Sequence, residues 1–126
     1  MPTAIAFVTD LIFGTKIAST ARSLGIDLQI VRSANDFNAR LASGAALAII
    51  DLNAAGPDPL AAVRIAHEAA ARPRVIAYLS HVQTELAAAA REAGADDVMA
   101  RSAFSARLPE ILNIAATTPP DGGTPA

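Results

Sequence analysis

Leu47-Ala48-Ile49-Ile50-Asp51-Leu52-Asn53 begins with four aliphatic residues and stops at a carboxylate. An apolar run this short reads as a strand buried on both faces rather than as a helix, and doubly buried strands belong to parallel sheets covered by helices on each side. In such sheets ligands gather outside the carboxyl ends of the strands, where the strand order reverses. An acid at that place is therefore a candidate for chemistry as well as a strand end.

Working outward, the same unit recurs. Ala4-Ile5-Ala6-Phe7-Val8 is a second continuous apolar run, closed by Thr9-Asp10. Ile12, Phe13, Ile17, Ala21 and Leu24 then recur near helical spacing, and Gly25 follows where a left-handed cap is wanted. Ile26 to Val31 predicts a strand, and Ser33 offers an N-cap to a short helix carrying Phe37, Leu41 and Ala42 on one face. Ser43-Gly44 ends that helix. Beyond Asp51, the loop Asn53-Ala54-Ala55-Gly56-Pro57 leads to Asp58-Pro59, an N-cap acid followed by proline at the first helical position, and a third helix is predicted to about Ala71. Val75 to Leu79 predicts a fourth strand, Thr84 to Ala93 an alanine-rich helix capped by Gly94, Val98 to Ala100 a fifth strand, and Ala103 to Ala115 a last helix.

Five strand–helix units predict one doubly wound α/β domain over residues 1–116: a five-stranded parallel sheet with right-handed crossovers and helices on both faces. The remainder, 117–126, is rich in Thr, Pro and Gly, and the expectation is a disordered C-terminal tail without an output domain.

A chain of 126 residues suits one core. Hydrophobic residues make up 52% but aromatics only 4%, so that core is built from closely packed Leu, Ile, Val and Ala. The formal charge of −2 lacks the basic footprint of a protein that grips nucleic acid through its phosphates. The absence of cysteine removes disulfides, thiolate metal sites and cysteine nucleophiles. Met1-Pro2-Thr3-Ala4 carries no basic leader, and no apolar run approaches the ~18 residues that span a bilayer, so no membrane association and a cytoplasmic location are expected.

The predicted strand ends bring together Thr9-Asp10, Asp51, Leu79-Ser80-His81 and Arg101, with Asn53 just beyond the third strand. Any one of these can end a strand simply because strands end at solvent. Their joint placement is more specific, since carboxylates can hold a hard cation, a carboxylate can itself accept a phosphoryl group, and a cation can neutralise the phosphoryl oxygens. Other features carry less. Gly14-Thr15-Lys16 lacks the preceding glycine of a phosphate loop, Ser80-His81 lacks the glycines of a nucleophile elbow, and no Gly-x-Gly-x-x-Gly follows a strand. His67 has no second histidine at ligand spacing and reads as a surface residue.

At Leu47 to Asn53 with Gly56-Pro57-Asp58, and at Glu92-Ala93-Gly94-Ala95-Asp96-Asp97, the chain resembles the receiver domain of two-component response regulators, and the resemblance extends to about Ala115. It implies a flavodoxin-like three-layer sandwich and a phosphorelay role. By that resemblance Asp51 is the aspartate that takes phosphoryl from a histidine kinase or phosphotransfer protein. Asp10 and Asp51 would hold Mg²⁺ together with the main-chain carbonyl of Asn53. Ser80 and Arg101 are the candidates for gripping the phosphoryl group.

The departures suggest an atypical or pseudo-receiver variant. Thr9 stands where the family has a second acid, so Mg²⁺ binding is expected to be weak or absent. The family hydroxyl aligns without a gap to Leu79, and only a one-residue shift brings Ser80 onto it. Arg101 replaces the family lysine, Ser102 the following proline and Val98 the switch aromatic. Arginine is a planar fork rather than a compact ammonium, so the exchange alters the site. Two readings of Arg101 stay open: phosphoryl binding, or an ion pair with Asp51 or Asp10 that holds the site shut.

The expected function is a stand-alone receiver, not an enzyme, that works by binding a downstream protein or as a weak homodimer. For the homodimer, Ala87 to Ala90 on the fourth helix, with Met99 and Arg107, would supply the surface. A phosphorylation-independent interaction module and a small enzyme using the same strand-end pocket are the alternatives.

Overall fold

The computed structural model describes residues 3–54, 58–80 and 83–117. They form β1 (Thr3–Phe7), α1 (Leu11–Ser23), β2 (Asp27–Val31), α2 (Ala34–Ala42), β3 (Leu47–Asp51), α3 (Pro59–Glu68), β4 (Arg74–Leu79), α4 (Thr84–Ala93), β5 (Asp97–Ala100), α5 (Arg101–Ala106) and α6 (Leu108–Thr117). The strands make one parallel sheet in the order β2-β1-β3-β4-β5. This is the doubly wound parallel sheet that the alternating units predict, in the flavodoxin-like strand order that the resemblance implies.

Side chains alternate across each strand, and that alternation builds two cores. Ile5, Phe7, Ala48, Ile50, Val75, Ala77 and Leu79 face one side, where Phe37 and Leu41 of α2, Ala62, Val63 and Ala66 of α3 and Ala90 of α4 cover them. Ala4, Ala6, Leu47, Ile49, Ile76 and Tyr78 face the other, beneath Phe13, Ile17 and Ala21 of α1, Phe104 of α5 and Leu108, Ile111 and Leu112 of α6. Every residue of β3 is buried, as the opening run requires of a central strand.

Capping follows the sequence closely. Asp10, Ser33 and Asp58 cap α1, α2 and α3 by accepting the amides of Phe13, Asp36 and Leu60, and Pro59 occupies the first turn of α3. Gly94 ends α4 in a left-handed conformation, φ 117°. The ring of His67 lies directly over it, so close that a Cβ at Gly94 would come within 2.3 Å of the His67 Cγ. Glycine is required there both for its backbone angle and to admit α3 against the end of α4.

Four expectations are corrected. Ile12 and Leu24 of the predicted α1 stripe are exposed, at 86% and 37%: Ile12 lies about 140° around the helix from the centre of the face formed by Phe13, Ile17 and Ala21, and Leu24 lies past the last helical residue, Ser23, as the C-cap. Ala42 is also exposed, leaving Phe37 and Leu41 to dock α2. The third helix stops at Glu68 rather than Ala71: Ala69 already takes extended backbone angles (φ −65°, ψ 145°), and the chain then turns through an Arg72 amide bonded to the Ala69 carbonyl, with Arg72 itself at φ 50°. The last helix is two helices. The first begins at Arg101, immediately after β5, and the break at Arg107 precedes Pro109, whose ring cannot sit over the carbonyl four residues back and which has no N–H to offer it.

The loop residues 55–57, His81 and the predicted tail from 118 onward lie outside the described residues, while Thr117 closes α6. No helix among the described residues is long and apolar enough to cross a membrane.

Candidate functional site at the strand ends

Strand order reverses between β1 and β3, and the carboxylates of Asp10 and Asp51 stand at the ends of these two neighbours. Asp10 has two commitments. Its Oδ1 accepts the Phe13 amide at 3.0 Å, closing the first turn of α1, and its Oδ2 accepts from the Arg101 Nη2 at 2.6 Å. The amide of Phe13 and then the guanidinium hold the Asp10 carboxyl below its ordinary pKa, and the same carboxylate raises that of Arg101. The guanidinium also lies over the Phe13 ring, 4.3 Å from its centroid. Of the two readings left open for Arg101, the structure displays the ion pair, and its partner is Asp10.

Asp51 is the one charged residue in the core of the described chain, 7% exposed. Its Oδ1 accepts the Asn53 amide at 2.8 Å. Burial pushes its pKa upward, against the Asn53 hydrogen bond and the nearby Arg101 charge, while Asp10 adds to the rise. These mutual influences make Asp10, Asp51 and Arg101 one electrostatic unit.

Beneath this unit lies an aromatic group that sequence reasoning did not assemble. Tyr78 stacks on Phe104, centroids 4.6 Å apart, and meets Phe13 edge-on at 5.2 Å. The Tyr78 hydroxyl is buried and closes no hydrogen bond among the described residues. Burial, and then the charge of Asp51, drives the phenol pKa strongly upward. The available signal was period two: Tyr78 faces the Asp51 side of the sheet because its neighbour Leu79 faces the other.

Asn53 ties two loops together, its Nδ2 donating to Gln83 Oε1 at 3.0 Å and its Oδ1 accepting the Ser80 amide at 2.6 Å. Gln83 was another residue not foreseen. Leu79 ends β4 with its side chain inside the core, paired in register with Ala100, so it presents no hydroxyl to the site. Ser80 follows as an exposed bend, and Ser102 is exposed on α5. Thr9 is half-buried between β1 and Asp10. Val98 packs toward α4 and lines, with Leu79, Thr84, Ala87 and Arg91, a surface hollow of about 230 Å³.

On the face considered for self-association, Ala88 points outward and Ala90 is buried. Arg107 pairs with Glu110 at 3.3 Å. Lys16, from the rejected phosphate-loop pattern, sits mid-helix and donates to Ser105.

A divalent cation fits these residues poorly. A hard ion wants several free oxygen ligands. Here each oxygen of Asp10 and one of Asp51 already shares a lone pair with a donor, the Arg101 charge lies 2.6 Å from Asp10, and Thr9 adds no charge. Among the described residues no cluster of three or more His, Cys, Asp or Glu could hold a metal.

No protein-family model matches the chain. No curated protein matches it either. Solved structures do. A response regulator from Burkholderia pseudomallei, crystallised with a phosphorylated aspartic acid, calcium ion and citrate, superposes with a TM-score of 0.77 at 13% identity, over 92% of this chain and 70% of that one. A response regulator from Thermotoga maritima gives 0.75 at 18% identity, over 93% and 99%. A CheY-like receiver domain protein from Methanospirillum hungatei gives 0.76 at 15%, over 92% and 97%. By its strand order, its layers and these superpositions, the chain has the fold of a response-regulator receiver domain.

Proposed function

We propose that the chain is an atypical signalling receiver that takes a phosphoryl group on Asp51 and acts by binding other proteins. The observation that carries this reading is the placement of Asp51: the one buried carboxylate among the described residues, at the end of the central strand and at the reversal of strand order, with a guanidinium in its electrostatic field. Its second oxygen would attack phosphorus while the donor's bond to phosphorus breaks and the leaving group departs with that electron pair. Water would later hydrolyse the acyl phosphate and restore the carboxylate. Arg101 would offset the added negative charge, and Ser80, on the bend held by Asn53, is the hydroxyl nearest the family's gripping position.

The donor would be a histidine kinase or phosphotransfer protein, and Leu11 and Ile12, 66% and 86% exposed beside Asp10, give such a partner an apolar edge. Output would pass to a downstream protein or a weak homodimer.

A second reading, a phosphorylation-independent interaction module, draws on the Arg101–Asp10 ion pair and on Leu79, whose side chain cannot relay a phosphoryl signal by hydrogen bonding. Incubation with a small phosphodonor, with and without a divalent cation, followed by intact-mass measurement separates the two. One added phosphoryl group in the native chain and none in Asp51→Asn is expected. No adduct under either condition, or an adduct that survives in Asp51→Asn, overturns the assignment.

A further inference from the structure

We propose that Arg101 stands in for a divalent cation at this site, a counter-charge built into the chain that keeps metal ions off Asp10. The inference deepens the phosphoacceptor reading of the strand ends but is tested without phosphoryl transfer.

Each Asp10 oxygen already gives one lone pair to a donor, so an approaching ion would share Oδ1 with the Phe13 amide or bind Oδ2 against the repulsion of the guanidinium charge 2.6 Å away. Moving either donor would open the first turn of α1 or leave a positive charge unpaired beside the cation. Three features make the guanidinium hard to displace. Its carboxylate contact is short and charge-assisted, at 2.6 Å. Its flat face rests on the Phe13 ring, 4.3 Å from the centroid, and Phe13 is itself locked against Tyr78 and Phe104. Its backbone enters α5 directly from β5, whose last residue, Ala100, is held in register with Leu79.

The charges agree. Asp10, Asp51 and Arg101 together carry one net negative charge, whereas the two carboxylates alone would carry two and attract a divalent ion more strongly. On this account Arg101, more than the neutral Thr9, sets the site's indifference to metal.

Binding of Mn²⁺ alone to the full chain, counted by the loss of its free-ion paramagnetic resonance signal, tests the proposal. Native protein and Thr9→Asp should both bind weakly. Arg101→Ala and Arg101→Gln, the latter keeping the stem that covers Phe13, should each gain at least about tenfold in affinity. Adding Asp10→Asn to either should abolish the gain. Circular dichroism establishes that each variant is folded, and if Arg101→Ala is not, Arg101→Gln decides. Equal affinity in native and folded Arg101 variants, or a gain in Thr9→Asp as large as theirs, would overturn the proposal. Because no phosphodonor is present, this outcome stands apart from whether Asp51 is phosphorylated.

Discussion

Asp51 and Tyr78 are register partners across β3 and β4, so the buried carboxylate and the buried phenol share one face of the sheet, over the core capped by α1 and α5. A carboxylate and a hydroxyl that closes no hydrogen bond among the described residues thus lie together in buried positions on that face. Each costs stability unless it is used, and such local conflicts with good packing are where function is expected to reside.

The first prediction concerns the carboxylate. Burial holds the Asp51 pKa above its unfolded value of about 3.9. A carboxyl shifted in that direction is without penalty below the unfolded value and destabilises the fold as pH rises through the folded one. Asp51→Asn keeps an oxygen for the Asn53 amide and cannot ionise. The variant should therefore melt above the native chain at neutral pH, and the difference should shrink to nothing below about pH 4. A difference that grows on acidification would show that the ionised carboxylate is stabilising.

The second concerns the phenol. A buried hydroxyl without a partner forfeits its hydration, a loss of about 1–3 kcal/mol, while the ring makes the stacking contacts with Phe104 and Phe13. Tyr78→Phe keeps the ring and removes the orphan. Denaturant unfolding should show stability unchanged or raised by about 1 kcal/mol. A loss of that size would mean that the hydroxyl donates to Asp51 in solution.

Much of this was legible in the chain because period two and period 3.6 act locally. Ala48, Ile49 and Ile50 could hardly be anything but a doubly buried strand, and Asp58-Pro59 marks its helix start by chemistry alone. The proximity of Asp10, Asp51 and Arg101 was legible for the same reason, since each ends a strand and parallel strands end together. Which carboxylate Arg101 chooses was not. That depends on α5 beginning at Arg101 itself, and Ala100 caps the helix without any side-chain hydrogen bond that a sequence could announce. Ile12 misled because it adjoins Phe13, and neighbours on a helix face directions about 100° apart. The aromatic group of Phe13, Tyr78 and Phe104 is tertiary, drawn from three elements far apart in sequence.

The last prediction tests the joint between α3 and α4. Gly94 adopts φ 117°, outside the range that side-chain-bearing residues favour, and a Cβ there would approach the His67 Cβ and Cγ to 2.6 and 2.3 Å. Either α3 or the end of α4 would have to move, and the Val63 and Ala66 packing beneath would move with it. Gly94→Ala should lose at least about 2 kcal/mol in denaturant unfolding, combining backbone strain with the clash. His67→Ala should not rescue it, because its Cβ still collides, whereas His67→Gly should recover the steric part and leave the strain of the left-handed residue. Full recovery by His67→Gly would show that the contact alone matters. No recovery would assign the whole loss to the backbone angle.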